Sequence, residues 1–598
     1  MPFVRVPTHL LAVIALALGL SVGMTRAQEA APVQAPALLG APPISPADRV
    51  YTADQVSNTV SVIDPSTNTL LGTIPLGKPR LGPLLSPIYY DEVNVHGLGF
   101  APDGALLDVI SVTTNSATLI DTATNQIAGQ AYLGRAPHEG FISPDGTELW
   151  VAVRGENYVA VLDVAAVLAA GAAEATPSAG TGGVGAATPQ ASTGGEVARI
   201  ATGPGPGMVV FSPDGAFAYV NHSESAELVK IDVASHQVVG RLTGLVSPFS
   251  PNLAVSPDGK EVWLTHKDVG KVTVIDAASF QVLTVLDTGP VTNHVNFVTK
   301  PDAAYAYVTV GGMDATLVYR RNGANPERVA EIKNSGSTPH GIWPSPDNTR
   351  VYVGLENADA VDVIDTDAMT VVATIKIGQS PQALVYVAGA AKTGGGGEPL
   401  SRQGLDLRIE TLQVEVEGQA EAKAKAFVRE LPTTDMIEVT GRDLPPGAVY
   451  TVLVGNDGEA VPVGELAVTP KGQGMALAFT GFFDRYDRVR LVPKGEEVSA
   501  PASPAASPAA SMAGGETVTV DIGDNFYEPA MVTVPVGGSV TWTNGGAEPH
   551  TATARDRDVL QSGTLKQDER YTETFEAAGT YEYFCEFHPN MKGTLVVE

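Results

Sequence analysis

The apolar positions of residues 48–390 recur in a fixed order. A Pro-Asp turn comes first, as in SPDG at 143, 212 and 256, and a short apolar strand with an aromatic residue follows. A few polar residues then lead into a second apolar strand that ends in Ile-Asp or a similar pair, as in VWLTHKDVGKVTVID. Short apolar runs bounded by Pro, Asp and Gly are typical of β-strands, so the pattern predicts an all-β region.

The spacing of these repeats predicts the architecture. The typical interval between strand ends is 42 to 46 residues, and the ends lie at Asp64, Asp121, Asp163, Asp232, Asp276, Tyr319 and Asp365. Short strands repeated every 40–45 residues or so are the signature of a β-propeller, in which neighbouring blades bury each other's faces. The first repeat lacks an inner strand, and SPQALVYV (380–387) supplies one. We therefore expect seven blades, with the last strand completing the first blade.

Two motifs of this region carry a family resemblance. SPDGKEVWLTHKDVGKVTVID and RVYTADQVSNTVSVID resemble the YVTN-type propeller repeats of exported bacterial and archaeal proteins. The resemblance covers residues 48–390 and implies the fold. It implies no particular function, because propellers host many functions.

Two further regions also read as β-structure. Residues 404–496 alternate apolar and polar positions, as in LRIETLQVEVEG, which predicts an antiparallel β-sandwich without a ligand cluster. We expect this sandwich to be a spacer or an interaction module. Residues 516–598 contain short strands such as TVTVDI, GSVTWTN and GTYEYFC, which predict a second small β-sandwich.

Tracts rich in Ala, Pro, Ser and Gly separate these regions. They predict linkers at 28–47, 391–403 and 497–515, and a disordered insertion in a propeller loop at 169–195, because this composition cannot build a core. Arg5, the apolar run 10–24 and the small residues before position 27 predict a signal peptide over residues 1–27. The protein is therefore expected in the periplasm or outside the cell, without a membrane span after cleavage.

The net charge and the cysteine content limit the possible partners and cofactors. The formal net charge of −29 argues against a nucleic-acid partner. Cys585 is the only cysteine, which excludes an internal disulfide, CxxCH-bound haem and thiolate-bound iron–sulfur clusters. The thiol is left as a free group, an intermolecular bridge or a metal ligand.

The stretch YEYFCEFHPNM (581–591) places soft and borderline metal ligands around this cysteine. A thiolate, two imidazoles and a thioether as the long axial ligand form a type 1 (blue) copper centre for one-electron transfer. A lone Cys is usually a small buried hydrophobe, but here three candidate ligands fall within seven residues and a fourth lies upstream. The candidate metal ligands are His550, Cys585, His588 and Met591. One Cys limits the centre to one copper.

A second family resemblance lies in this region. YEYFCEFHPNMKGTLVVE and VGGSVTWTNGGAEPHTAT resemble the cupredoxin family, most of all its amicyanin and plastocyanin branch. The resemblance implies one copper on the four residues named above. It also implies that a redox partner protein docks near His588, on an apolar rim of Phe587 and Pro589. Asn544 and Thr551 are expected to hold the ligand segments through hydrogen bonds.

The histidines of the propeller are candidates for a second functional site. Six of them recur in two registers of the repeat, at His96, His138, His294 and His340, and at His222 and His266. They could belong to a metal or redox site or to a small-ligand or partner site. Alternatively, they have no binding role and reflect a loop sequence that is common at the start of such repeats. A propeller joined to a cupredoxin resembles nitrous oxide reductases, although that family's cupredoxin carries two cysteines. His236 is expected to be a solvated turn residue.

The sequence thus favours an exported one-copper electron carrier rather than a catalyst, with the propeller as a docking or binding scaffold. One alternative is a multidomain oxidoreductase whose propeller holds a His-lined metal or substrate site fed by the copper domain. The other is a cell-surface binding protein.

Overall fold

A computed structural model of the chain describes most of its residues. The described ranges are 39–77, 94–174, 195–391, 400–419, 421–432, 434–456, 460–495, 517–523, 526–529, 531–546, 549–554, 559–585 and 591–597. The chain divides into two compact units, Met1–Pro501 and Ala502–Glu598. The predicted signal peptide lies outside the described residues. Within them, no helix is both long enough and apolar enough to cross a membrane.

Seven four-stranded antiparallel sheets form the blades of a β-propeller. The strands of the first three blades are β1 (Arg49–Asp54), β2 (Thr59–Asp64), β3 (Thr69–Pro75), β4 (Val95–Phe100), β5 (Leu106–Ser111), β6 (Ser116–Asp121), β7 (Gln126–Tyr132), β8 (Pro137–Ile142), β9 (Glu148–Val153), β10 (Tyr158–Asp163) and β11 (Glu196–Ala201). The next two blades contain β12 (Pro206–Phe211), β13 (Phe217–His222), β14 (Glu227–Asp232), β15 (Gln237–Thr243), β16 (Leu253–Val255), β17 (Glu261–His266), β18 (Lys271–Asp276) and β19 (Gln281–Asp287). The last two contain β20 (Thr292–Thr299), β21 (Ala304–Val310), β22 (Ala315–Arg320), β23 (Glu327–Lys333), β24 (Pro339–Pro344), β25 (Arg350–Leu355), β26 (Ala360–Asp365) and β27 (Thr370–Lys376).

The ring is closed by a strand from the end of the propeller region. Strand β28 (Pro381–Val387) pairs antiparallel with β1 and becomes the inner strand of the first blade. The Tyr386 hydroxyl donates to Asp48 Oδ2 at 2.6 Å, which ties the closing strand to the residues before β1. The prediction of seven blades with this closure is confirmed.

The repeated sequence features account for the blades. The aromatic residues of the repeat, among them Trp150 and Trp263, are fully buried between sheets. In the Pro-Asp turns the carboxylate organises the backbone: Asp145 Oδ1 accepts from Ser143 Oγ at 2.6 Å and from the Thr147 N–H at 3.1 Å. Gly146 has φ of 78°, a conformation that glycine adopts at little cost.

One expectation for the propeller was wrong in part. Helix α1 (Val164–Glu174) follows β10 and includes residues 169–174, which the composition had assigned to a disordered insertion. Asp163 Oδ1 caps the helix by accepting from the Ala166 N–H at 2.7 Å, and the segment is rich in alanine, the best helix former. Residues 175–194 of the insertion lie outside the described residues.

A seven-stranded sandwich completes the first unit. Its elements are β29 (Ile409–Val416), β30 (Lys423–Glu430), β31 (Asp435–Arg442), β32 (Val449–Gly455), β33 (Ala460–Ala467), β34 (Gly474–Thr480), the short helix α2 (Phe482–Arg485) and β35 (Arg488–Pro493). Strand β29 pairs with β30 along most of its length and with β35 at its end, so it belongs to both layers.

The sandwich packs on one end of the propeller. An apolar cluster joins Val56 in the first blade to Leu431 and Met436 in the sandwich. Before the sandwich begins, Gln403 Nε2 donates to the carbonyl oxygens of Ser57 and Gly77 in the first blade. This end of the predicted linker is therefore bound to the propeller.

Ion pairs extend the same interface. They reach propeller turns that join the second and third strands of blades, and they are Lys425–Asp314 at 2.7 Å, Arg429–Asp359 at 3.4 Å and Lys471–Asp268 at 2.9 Å. The inner strands begin at this end of the propeller, so the sandwich lies over the end of the ring where the registered histidines occur.

The second unit is a small two-layer sandwich. Its strands are β36 (Thr517–Gly523), β37 (Phe526–Glu528), β38 (Met531–Val534), β39 (Gly538–Asn544), β40 (Thr553–Ala554), β41 (Arg570–Phe575), β42 (Gly579–Phe584) and β43 (Lys592–Val597). One layer has the order β37-β36-β39-β41 and the other β38-β43-β42-β40. Trp542, Tyr583 and Leu595 are buried between the layers. The predicted all-β fold class is confirmed, with α1 and α2 as short helical additions among the described residues.

Candidate metal centre

Two segments of the small sandwich bring the candidate ligands together. His550 follows β39 and pairs with Leu565 through two backbone hydrogen bonds of 3.0 and 2.8 Å. Cys585 comes directly after β42, and its N–H donates to the carbonyl oxygen of Met591 at 3.0 Å, just before β43. The described candidate ligands, His550, Cys585 and Met591, are thus fixed at the end of a strand or by a backbone pair.

The sulfur and the imidazole face each other in the interior. Cys585 Sγ lies 3.6 Å from His550 Nδ1. Both residues are fully buried, and Met591 is 3% exposed. Two ligands that each lie about 2.0–2.3 Å from one ion at a trigonal angle of about 120° are roughly 3.5–4.0 Å apart. The spacing and the N/S donor set therefore fit a shared thiophilic metal such as copper.

Thr551 supports the sulfur through its backbone. Its N–H donates to Cys585 Sγ at 3.4 Å. Its carbonyl oxygen accepts a short hydrogen bond from the Tyr527 hydroxyl on the opposite segment. The sequence had suggested a hydrogen-bonding role for this position, and the contact with the sulfur is made by the backbone amide.

Asn544 holds the segment on the other side of His550. Its Nδ2 donates to the Leu565 carbonyl oxygen at 2.9 Å, and its Oδ1 accepts from the Gly546 N–H at 2.9 Å. Leu565 is also the backbone partner of His550, so Asn544 positions the histidine through one intermediate residue. Leu565 and Tyr527 were not found from the sequence, because a backbone partner and a remote hydroxyl leave no motif.

The remaining predicted residues of this centre fall in residues 586–590. His588, Phe587 and Pro589 lie outside the described residues. Among the residues that the structure describes, no group of three or more His, Cys, Asp or Glu side chains is arranged to hold a metal ion. The described part of the centre consists of His550, Cys585 and Met591.

The structure places the first histidine register on the inner strands of four blades. The rings form two close pairs: His96 and His138 have centroids 4.3 Å apart, and those of His294 and His340 are 4.6 Å apart. His138 Nδ1 donates to the Gly207 carbonyl oxygen at 2.8 Å. Burial lowers the pKa of His96 to about 3 and lowers the pKa of the other three as well, so the four rings are neutral.

The second register is structural. His222 Nε2 accepts from the Gly203 N–H at 3.2 Å, and its Nδ1 lies 3.2 Å from the Glu227 carbonyl oxygen. His266 lies 3.0 Å from Ser250 Oγ and 2.8 Å from Thr273 Oγ1. Both rings are fully buried and hydrogen-bonded on both nitrogens.

His236 differs from its expectation. Its Nε2 lies 3.0 Å from Glu148 Oε2, and its ring packs edge-on to Trp150 at 5.2 Å. It is therefore a contact between blades rather than a freely solvated turn residue. Glu148 comes from a different blade, so the local sequence around His236 carries no sign of the contact.

Comparison with known proteins identifies the second unit. The sequence model of the cupredoxin-like domain family matches residues 500–597. An amicyanin from Paracoccus denitrificans is 41% identical over 101 residues, which are 16% of this chain and 76% of that protein. A plastocyanin from Scenedesmus fuscus is 37% identical over 91 residues, which are 13% of this chain and 92% of that protein.

Solved structures also resemble a larger part of the chain. A hydrazine synthase chain from Kuenenia stuttgartiensis superposes with a TM-score of 0.41 at 18% identity, over 50% of this chain and 93% of that one. A functionally unknown protein from Desulfotomaculum acetoxidans gives a TM-score of 0.44 at 11% identity, over 56% of this chain and 98% of that one. Similarity at this level supports no inference, and the propeller rests on its own strand topology. Through its C-terminal domain the chain belongs to the cupredoxin family, and a cupredoxin domain implies copper-mediated electron transfer.

Proposed function

We propose that this protein is an exported one-electron carrier that binds one type 1 copper through His550, Cys585, His588 and Met591. The observation that carries the proposal is the 3.6 Å approach of Cys585 Sγ to His550 Nδ1 inside a cupredoxin sandwich. When bound, the copper supplies a reversible one-electron couple.

The surrounding residues suit this role. Complete burial of Cys585 and His550 keeps water away from the metal. Backbone hydrogen bonds fix His550 to Leu565 and Cys585 to Met591, and the Thr551 N–H points at the sulfur. A centre held in this way changes little in geometry between oxidation states, which favours rapid electron exchange.

The propeller and the 404–496 sandwich serve in this proposal as a docking or binding scaffold. A redox partner protein would approach the copper domain near His588, by analogy with cupredoxins. The signal-peptide pattern of residues 1–27 supports export to the periplasm or beyond the cell.

Copper loading of the purified full chain tests the proposal. We expect one copper per chain and an intense visible thiolate-to-copper band that Cys585→Ser abolishes. Met591→Leu should shift that spectrum, whereas Met531→Leu, which alters a 63% exposed methionine, should leave it unchanged. A Cys585→Ser protein that keeps the band would refute the proposal.

The metal-to-protein ratio also separates the alternatives. More than one tightly bound metal per full chain would favour the multidomain oxidoreductase. A partner protein that binds equally well to wild type and to His550→Ala would favour the binding protein.

A further inference from the structure

The inner strands of the propeller share an irregularity. In β8, Pro137 pairs with Val153 and Gly140 with Val151, so two residues stand opposite one and form a bulge. The pairing is interrupted at corresponding points of β4, β12, β20 and β24. Bulges re-aim side chains and occur often at the rims of sites. The residues at these interruptions are His96, His138, Glu139, Gly207, Met208, Asn293, His294, His340 and Gly341.

Glu139 is the acidic member of this set, and it lines a cavity in the centre of the ring. The cavity measures about 30 Å³, and residues of other blades complete its wall, among them Asn252, directly before β16, and Asn296 in β20. Glu139 is 2% exposed, and neither carboxyl oxygen has a hydrogen-bond partner among the described residues. The neighbouring blade approaches closely at Gly97, where a Cβ atom would lie 3.0 Å from Glu139 Cγ.

A buried carboxyl group without a hydrogen bond has two ways to avoid an uncompensated charge: it holds a proton or it binds a cation. Burial raises the pKa of Glu139 to about 8, and the charge of Arg154 opposes that rise only in part. Burial lowers the pKa of Arg154, and the negative charges of Glu139 and Glu224 partly offset that effect. The buried rings of His96 and His138 are neutral and add no positive charge.

Two amide side chains line the same cavity as the carboxyl group. Asn252 Oδ1 accepts from the Val295 N–H at 3.1 Å, and Asn296 Oδ1 accepts from the Phe297 N–H at 2.9 Å. These bonds fix the orientation of both amides, and each carbonyl-type oxygen retains a second lone pair. The cavity is therefore lined by one carboxyl side chain and by two amide side chains whose orientations are fixed.

We propose that the propeller channel binds one monovalent cation, of the size of potassium or ammonium, at Glu139. The cavity of about 30 Å³ has room for two or three water-sized particles, since each needs about 10–15 Å³ by this measure, so one ion and a water fit. A monovalent ion and one carboxylate form a neutral pair, whereas a divalent ion would leave net charge in a low-dielectric interior. The site is independent of the copper centre and is a property of the propeller alone.

Thermal unfolding of the copper-loaded full chain tests the proposal. We compare potassium, ammonium, lithium and tetramethylammonium chlorides at equal ionic strength. A bound ion stabilises the folded state by mass action, and we expect the propeller transition to rise by about 1–3 °C in potassium or ammonium. The salt that gives the larger rise identifies the ion. The rise should be larger near pH 8.5 than near pH 6.5, because the cation displaces the Glu139 proton.

Two variants and one direct measurement make the test decisive. Glu139→Gln should remove the salt-specific rise, and Asp302→Asn, which removes an exposed propeller carboxylate, should retain it. Crystals grown with rubidium should show an anomalous peak beside Glu139. A rise that persists in Glu139→Gln, equal unfolding in all four salts, or a channel that contains only water in rubidium would overturn the proposal.

Discussion

Tyr527 connects the candidate copper ligands to the rest of the small sandwich. Its hydroxyl donates to the Thr551 carbonyl oxygen, and the N–H of that residue points at Cys585 Sγ. Tyr527→Phe removes this buried hydrogen bond, and we expect the C-terminal unit to lose about 0.5–1.5 kcal/mol of stability. Calorimetry of the full chain measures the transition of that unit.

A second tyrosine in the same sandwich serves as the control. The Tyr581 hydroxyl donates to the Ala577 carbonyl oxygen at 3.0 Å in an exposed position. Tyr581→Phe should change stability by no more than about 0.5 kcal/mol. Equal losses of stability in the two variants would mean that the buried Tyr527 hydrogen bond contributes no more than the exposed one of Tyr581.

Asp54 makes the stability of the first blade depend on pH. Its fully buried carboxyl accepts from Thr52 at 2.7 Å and from Ser61 at 2.7 Å, and burial raises its pKa from 3.8 to about 7. Between these two values the folded state keeps a proton that the unfolded state releases. Stability from this group is therefore present at low pH and is lost as pH rises toward 7.

Replacing Asp54 by a neutral isostere tests this dependence. Asp54→Asn has no proton to lose, so we expect it to gain stability relative to wild type between about pH 5 and about pH 8, by on the order of 2 kcal/mol. Urea unfolding at the two pH values measures the change. The difference between wild type and Asp302→Asn should stay constant over the same interval, and a constant difference for Asp54→Asn would contradict the assignment.

At the scale of single residues, the sequence was informative where uncommon, metal-binding residue types lie close together. A lone cysteine close to histidine and methionine stands out in any chain, so His550, Cys585, His588 and Met591 could be named as candidate metal ligands, and the structure brings His550, Cys585 and Met591 together. The supporting groups could not be named, because Leu565 acts through its backbone and Tyr527 lies far away in sequence. His236 was misjudged because its partner, Glu148, belongs to another blade.

Among the structural elements, the closing strand β28 joins the two ends of the propeller sequence, because it pairs with β1. The Tyr386 hydroxyl donates to Asp48 Oδ2, and Gly389 N–H donates to Oδ1 of the same carboxylate at 2.8 Å. Tyr386→Phe leaves this buried carboxylate with one donor fewer, and we expect a loss of about 1–3 kcal/mol. Hydrogen exchange should show the loss first in β1 and β28, because their pairing holds the ring shut.

Tyr352→Phe is the matched control for the closing strand. Its ring is buried against Tyr386 at 5.7 Å, but its hydroxyl only reaches the Pro65 carbonyl oxygen at 3.5 Å. We expect a loss below about 1 kcal/mol without selective exchange in β28. If both variants exchange alike, the carboxylate contact does not secure the closure.

The propeller elements were predictable because the same sequence pattern recurs from blade to blade. Each Pro-Asp turn and each aromatic strand reinforces the same interpretation, so the blade count follows from the period. Helix α1 occurs once, inside an Ala-rich tract whose composition also suits a linker. The decisive feature is the cap at Asp163, which a compositional argument does not weigh.

For the molecule as a whole, no sequence pattern indicates that the propeller and the 404–496 sandwich form one compact unit. Period and alternation describe each region alone, and the interface between them is made by side chains that lie far apart in the sequence. Arg429 is the most buried of these: its side chain is 1% exposed, its Nε lies 3.4 Å from Asp359 Oδ1, and it donates to Asn357 Oδ1 at 2.7 Å.

Arg429→Ala tests whether this residue couples the two regions. The variant leaves Asp359 buried without its cation, and removing one partner of a buried ion pair costs about 3–5 kcal/mol. We expect calorimetry of the full chain to show the sandwich unfolding before the propeller. Lys471→Ala breaks a more exposed pair with Asp268, worth at most about 1 kcal/mol, and should leave the transition intact. If Arg429→Ala also unfolds as wild type does, the apolar cluster around Val56 is sufficient to join the two regions.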